Sequence, residues 1–86
     1  MPNANYLKGR RKEYSIVDEF RKKGFDIVQR TAGSHSPIDV IAISKELLEI
    51  VLVQSKPDNI SSNKKEKILK DNEFLNNNYK VRFILR

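Results

Sequence analysis

Two short apolar segments that lie close together in the sequence constrain the fold more than any other feature. Ile38 to Ile43 and Glu49 to Lys56 are rich in Ile, Val and Leu, residue types that favour β-strands. The intervening segment, Ser44 to Leu48, is short enough for a hairpin loop. The pattern therefore predicts two antiparallel strands that are neighbours in a sheet.

Polar side chains lie at the ends of these strands that are remote from the loop. Lys56 follows Gln54 by two residues and therefore points to the same side of its strand. We expect Asp39, Gln54 and Lys56 to converge at one end of a face that is otherwise apolar. Taken singly, Asp39 also fits a turn after Pro37, and Lys56 fits a charge that reaches water at a strand end. The expectation rests on symmetric pairing about the loop, which gives three facing pairs: Ile43 with Ile50, Ile41 with Leu52, and Asp39 with Gln54.

The remaining elements are predicted from periodicity and turn residues. A first helix runs from about Asn5 to Lys23, and a first strand covers Phe25 to Arg30. After the hairpin, Asn63 and Glu66 resemble a capping box that opens a second helix, and Tyr79 to Leu85 forms a last strand. The order α-β-β-β-α-β predicts a small single α/β domain over residues 1–86, with a mixed β-sheet flanked by helices.

Glu13 lies on the apolar side of the predicted first helix. It precedes Ile16, Val17 and Phe20 by three, four and seven residues, so all four share one helical face. A carboxylate at such a position must be paired, bound to a metal or hydrated. Glu13 is therefore a candidate site residue, although a slight rotation of the helix would place it at the edge of that face.

Composition excludes several classes of protein. The 86 residues include one His and no Cys, which excludes a disulfide framework, a thiolate metal site and a zinc site built from histidines. No apolar run is long enough to cross a bilayer, and the N-terminus lacks the apolar stretch of a secretory signal, so we expect a cytoplasmic protein. A hydrophobic fraction of 38% supports a small core, which dimerisation would extend.

The positive charge lies towards the two ends of the sequence. The formal net charge is +6, from 17 Lys plus Arg against 11 Asp plus Glu. Basic side chains outnumber acidic ones in residues 1–24 and 57–86, but not in residues 25–56. Basic surfaces attract nucleic-acid phosphates through counterion release, yet they also occur on proteins that bind no nucleic acid. Charge alone therefore leaves DNA binding open.

The order of these residues resembles a known nuclease pattern. An acidic residue on the first helix, an Asp at the start of a hairpin strand and a Gln-Ser-Lys triplet at the end of the next strand resemble the PD-(D/E)XK nuclease superfamily. More narrowly, roughly residues 6–56 resemble the archaeal Holliday junction resolvases. The resemblance is carried by Lys8-Gly9, Glu13, the segment from Gly24 to Ser34, and the segment from Asp39 to Ile43. It implies a restriction-endonuclease-like fold and a magnesium-dependent endodeoxyribonuclease, usually a homodimer, that recognises branched DNA by its shape.

The resemblance also implies a role for each candidate residue. Asp39 would bind Mg²⁺ or Mn²⁺, with the Gln54 side-chain oxygen beside it. Glu13 would hold a metal-bound water or complete a second ion site. Lys56 would position the attacking water and stabilise the negative charge that develops on the phosphate. The basic side chains would contact phosphates, and two loop residues would bring backbone amides to the DNA. These DNA-binding residues are Lys8, Arg10, Arg11, Lys12, Arg30, Gly33 and Ser34.

Gln54 departs from the pattern because the family normally has Glu at this position. An amide oxygen can bind Mg²⁺ but contributes no charge, so we expect weaker metal binding. The resemblance leaves two functions open: an active structure-selective endonuclease, or a catalytically weakened or inactive DNA-binding module that retains the nuclease fold. A third interpretation is a basic interaction domain in which the motif is coincidental.

Overall fold

The computed structural model describes residues 4–31 and 37–86. Both predicted helices and three of the four predicted strands are present in this part of the chain, and they confirm the α/β class. In chain order they are α1 (Ala4–Lys22), β1 (Ile27–Arg30), β2 (Val40–Ser44), β3 (Glu49–Val53) and α2 (Ser62–Asp71), followed by a 3-10 turn (Glu73–Leu75). None of the helices in the described part is long and apolar enough to span a membrane.

The hairpin of β2 and β3 has the predicted register. Ile43 pairs with Ile50 and Ile41 pairs with Leu52, and the ladder continues to Val40 and Val53 at the end that is remote from the loop. Its loop closes at Leu48, which adopts a positive φ of 53°. The agreement follows from the period-two alternation, because a slip by one residue would turn every side chain to the opposite face.

The three strands form an antiparallel sheet in the order β1-β2-β3, with β2 in the centre. Helix α1 packs on one face of this sheet and ends before Gly24, whose φ of +91° an L-residue would rarely adopt. Val17 of α1 and the central Val40 are buried there, and Phe20 packs edge-on against Phe25 with ring centroids 5.1 Å apart. On the opposite face Ile41 and Ile43 are only half-buried. The core therefore lies between α1 and the sheet.

Helix α2 begins at a different cap from the one predicted. Ser61 caps the helix, since its side-chain oxygen accepts a hydrogen bond from the Lys64 backbone N–H. The capping box assigned to Asn63 and Glu66 is therefore wrong, because Asn63 already lies inside the first turn. Beyond its cap, α2 lies beside β3 across an open cavity of about 570 Å³.

The predicted last strand is absent from the structure. Residues 79–86 adopt no regular secondary structure, and the pairings in the described part of the sheet are antiparallel, not mixed. The alternating side chains of Val81, Phe83 and Leu85 are exposed. Alternation alone does not make a strand, because a strand also needs a hydrogen-bonding partner and a surface to cover. The outer edge of β3 consequently has no strand beside it among the described residues.

Candidate active site

Asp39 is fastened to the end of β3 by two hydrogen bonds. Its backbone N–H donates to the Val53 carbonyl at 2.7 Å, and its side-chain Oδ2 accepts from the Ser55 backbone N–H, also at 2.7 Å. Ser55 lies between Gln54 and Lys56 in the sequence. The structure therefore brings Asp39 next to the Gln-Ser-Lys triplet, where the hairpin register predicts it.

Gln54 and Lys56 line a groove between α1 and α2. The groove has a volume of about 360 Å³ and is also bordered by Lys12 and Ile16 of α1 and by α2. Gln54 is half-buried and Lys56 is exposed. We call this feature the α1–α2 groove; it opens beside the residues that are fastened to Asp39.

Glu13 makes an ion pair that the sequence does not predict. Its Oε1 accepts from the Arg30 Nε at 3.0 Å, and both side chains are about a quarter exposed, at 24% and 23%. The partial burial agrees with a carboxylate on the apolar side of α1. Arg30 pairs with Val40 on the face of the sheet that α1 covers, so the Glu13 carboxylate is held against β1.

Tyr14 lies between two arginines beside this ion pair. Its hydroxyl accepts from Arg30 at 3.1 Å and from Arg10 at 3.3 Å, and the Arg30 guanidinium lies 4.6 Å from the ring centroid. The hydrogen bond from Arg10, followed by the positive charges of Arg10 and Arg30, lowers the pKa of the Tyr14 hydroxyl. Sequence reasoning did not assign Tyr14 to the site. The spacing of four residues between Arg10 and Tyr14 could have indicated their contact, because residues four apart on a helix are neighbours.

The other predicted DNA contacts fall into three cases. Lys8 and Arg11 are exposed on α1, as a phosphate contact requires, whereas Gly33 and Ser34 lie outside the described residues. Lys12 instead points to the segment after β3. Its ammonium group donates to the Lys56 carbonyl and to Asp58 Oδ1, the latter at 2.9 Å.

Asp58 is a second residue that sequence reasoning did not assign to the site. The hydrogen bond from Lys12 and the charge of Lys12, followed by the charges of Lys65 and Lys8, lower the pKa of the Asp58 carboxyl group. Asp58 follows Pro57 in a turn, so its sequence position suggests only the end of a strand. Its contact with α1 depends on how the helix lies across the sheet.

The donor atoms around Asp39 suit a hard cation. Mg²⁺ prefers oxygen ligands, and the Asp39 carboxylate and the Gln54 amide oxygen are both of this kind. Among the described residues, no three His, Cys, Asp or Glu side chains lie close enough together to hold a metal ion. A metal ion at Asp39 would therefore depend on amide or backbone oxygens as well as on this carboxylate.

Comparison with known protein families identifies a related family. The family model described as archaeal Holliday junction resolvase (Hjc) matches residues 4–85, nearly the whole chain. No curated protein and no solved structure is similar at a significant level.

Proposed function

The chain belongs to the archaeal Holliday junction resolvase family, and on that premise we propose that it is a magnesium-dependent endodeoxyribonuclease that hydrolyses phosphodiester bonds in branched DNA. The observation that carries the proposal is the 2.7 Å hydrogen bond from the Ser55 N–H to the Asp39 carboxylate. This bond fixes a half-buried negative charge beside Gln54 and Lys56. A charge held in one orientation needs little rearrangement when substrate binds.

The residues of the chain would divide the work as follows. Asp39 and Gln54 would hold Mg²⁺, which when bound supplies Lewis-acid polarisation of the phosphodiester and neutralises the charge that develops on it. The exposed ammonium group of Lys56 would orient water and stabilise the negative phosphate oxygens. Lys8 and Arg11, exposed on α1, would bind phosphates away from the cleaved bond.

Glu13 takes a less direct part in this proposal than the family pattern implies. Its ion pair with Arg30 holds its carboxylate against β1, so Glu13 would reach a metal ion only after leaving Arg30. The pair also keeps Arg30 in place against Tyr14. We therefore assign Glu13 to the metal site only in the DNA-bound state, where a phosphate replaces Glu13 as the ion-pair partner of Arg30.

Replacement of Asp39 tests this proposal. In Asp39→Asn the amide oxygen can still accept the Ser55 hydrogen bond, while the charge is lost; Asp39→Ala removes both. We expect both variants to lose cleavage of a four-way junction by about 100-fold or more, because the metal loses its charged ligand. Junction affinity measured by fluorescence anisotropy in EDTA should stay unchanged or rise slightly. Asp18→Asn, at an exposed position on α1, is the matched control and should cleave normally. Cleavage by Asp39→Asn at the wild-type rate would contradict the assignment.

A DNA-binding module without cleavage is the second candidate function, and Gln54 is the observation that favours it. A neutral amide in place of a carboxylate weakens attraction for Mg²⁺. Gln54→Glu separates the two functions, because it adds a charge beside Asp39 without changing the length of the side chain. We expect it to raise the melting temperature with Mg²⁺, to lower it without Mg²⁺ through carboxylate repulsion, and to increase or restore cleavage. A variant that is silent in both melts, with cleavage unchanged, would remove Gln54 from the site.

We also propose that the chain forms a homodimer. The alternating segment from Tyr79 to Leu85 exposes Phe83 at 90% and Leu85 at 86%, and no strand lies beside β3 among the described residues. Exposed apolar side chains and an open strand edge favour association between chains. In a symmetric dimer the second copy presents the same apolar segment and the same open edge of β3, so each copy can cover these surfaces of the other.

A further inference from the structure

The α1–α2 groove collects basic side chains that are far apart in the sequence. Lys12 comes from α1, Lys56 from the segment after β3, and Lys65 from the first turns of α2. Asp58 is the one acidic residue among the described residues that line the groove. The groove is also lined by apolar side chains from both helices, including Ile16 of α1 and Ile68 of α2, which we call its apolar floor. A cationic rim over an apolar floor suits a ligand that carries both phosphate and carbon surfaces.

We propose that the α1–α2 groove binds the phosphodiester backbone of a DNA strand, and that Asp58 occupies the position of a phosphate while DNA is absent. The proposal rests on the proposed function for its class of ligand, DNA, and adds a binding surface formed by α2. The apolar floor would face the carbon side of the deoxyribose units. Lys56, which follows Ser55 in the sequence, would connect this surface to Asp39, the hydrogen-bond partner of Ser55.

The contacts of Asp58 mark the position of the anion. Its Oδ1 lies 2.9 Å from the Lys12 Nζ, while its side chain is 98% exposed. An ion pair this exposed is held weakly, since water and salt screen it. A DNA strand brings several phosphates and releases counterions when it binds, so it can displace a single carboxylate. The same displacement allows Lys12 to contact DNA even though Asp58 holds it in the free protein.

Positive charges from both helices act on that one carboxylate. Lys8 and Lys12 of α1 and Lys65 of α2 all lower the pKa of the Asp58 carboxyl group, with Lys12 having the largest effect. Lys65 shares a face of α2 with Ile68, three residues later, so it points into the groove. Lys67 lies two residues after Lys65 and therefore projects from a different side of the helix. The two lysines consequently make a matched pair for an experiment.

The experiment measures junction affinity as a function of salt in EDTA, by fluorescence anisotropy, so that cleavage plays no part. We expect Lys65→Gln to reduce the slope of log affinity against log salt by about 0.9, the value for one phosphate contact on duplex DNA. Lys67→Gln removes the same charge from the same helix and should leave the slope unchanged. Equal reductions in both variants would show a general charge effect, and no reduction in either would place the strand elsewhere; both results would overturn the proposal.

Asp58→Asn supplies an independent outcome. In this variant Lys12 does not have to leave the Asp58 carboxylate before it contacts a phosphate. We therefore expect junction affinity at low salt to rise on the order of fivefold. Unchanged or weaker binding would overturn the proposal. These results are independent of the nuclease test. A protein that cleaves DNA only when Asp39 is intact could still show an unchanged salt slope in Lys65→Gln, which would contradict the groove proposal alone. A protein that shows the expected slopes but no cleavage would support DNA binding in the groove and contradict the proposed nuclease activity.

Discussion

Leu48 has a strained backbone conformation that the contacts of its side chain do not offset. Its φ of 53° lies in the left-handed region, where the Cβ of an L-residue crowds the backbone. The side chain is 90% exposed, so little burial offsets this cost. The hairpin loop needs a left-handed residue at this place to return the chain to β3, and Leu supplies it at the expense of stability.

Replacing Leu48 should therefore stabilise the protein. Asn tolerates the left-handed conformation, and we expect Leu48→Asn to raise the free energy of unfolding by about 0.5–1 kcal/mol in urea denaturation. Leu47→Asn is the control, because Leu47 is also exposed but does not have a positive φ. A loss of stability in Leu48→Asn would mean that the Leu48 side chain packs in solution.

At the scale of secondary-structure elements, one ion pair joins α1 to the edge of the sheet. Glu13 of α1 and Arg30 of β1 are 3.0 Å apart and mostly shielded from water. The apolar contacts of Val17 and Phe20 hold the C-terminal half of the helix on the sheet, whereas Glu13 lies at its midpoint, about one turn before Val17. The pair therefore fixes the part of α1 that adjoins the basic cluster of Lys8, Arg10, Arg11 and Lys12.

A double-mutant cycle with Glu13→Gln and Arg30→Gln measures this connection. We expect a coupling of about 1 kcal/mol from urea denaturation in EDTA, at the upper end for a pair that keeps some contact with solvent. The pair of Glu19 and Lys23 on α1 is the control: it is 3.6 Å apart, more than half exposed, and should give about 0.3 kcal/mol. Equal couplings in the two cycles would mean that the Glu13–Arg30 pair does not hold α1 on the sheet.

At the scale of the whole molecule, one layer of the fold is incomplete. Helix α1 covers one face of the sheet, but α2 stands beside β3 across a cavity, and the segment after the 3-10 turn leaves large apolar side chains in contact with water. A small domain has little core to lose in this way. Association between two copies is the arrangement that would cover this surface.

Sedimentation equilibrium tests the association. We expect the wild type to form a dimer in a concentration-dependent manner and the double variant Phe83→Ser, Leu85→Ser to shift towards the monomer by at least about tenfold in dissociation constant. Lys80→Ser together with Arg82→Ser, on the alternate positions of the same segment, is the matched control and should dimerise normally. A wild type that remains monomeric at all concentrations would contradict the prediction.

Local pattern was sufficient for the parts of the fold that depend on neighbours in the sequence. The hairpin register followed from alternation and a short loop, and it placed Asp39 beside the Gln54–Lys56 triplet, as the Ser55 hydrogen bond shows. The length of α1 followed from its apolar periodicity and from Gly24. Local pattern failed at the start of α2, where Ser61 competes with Asn63 as a cap, and at Tyr79 to Leu85, where alternation found no partner strand.

The sequence by itself determined which residues lie at the end of the hairpin, because strand pairing fixes positions through steps of two residues. Only the tertiary structure decided which charges meet: Arg30 with Glu13, Lys12 with Asp58, and Lys65 across the α1–α2 groove. These partners are brought together by the way each helix lies against the sheet. That placement depends on the summed packing of many apolar side chains, which no short stretch of sequence specifies.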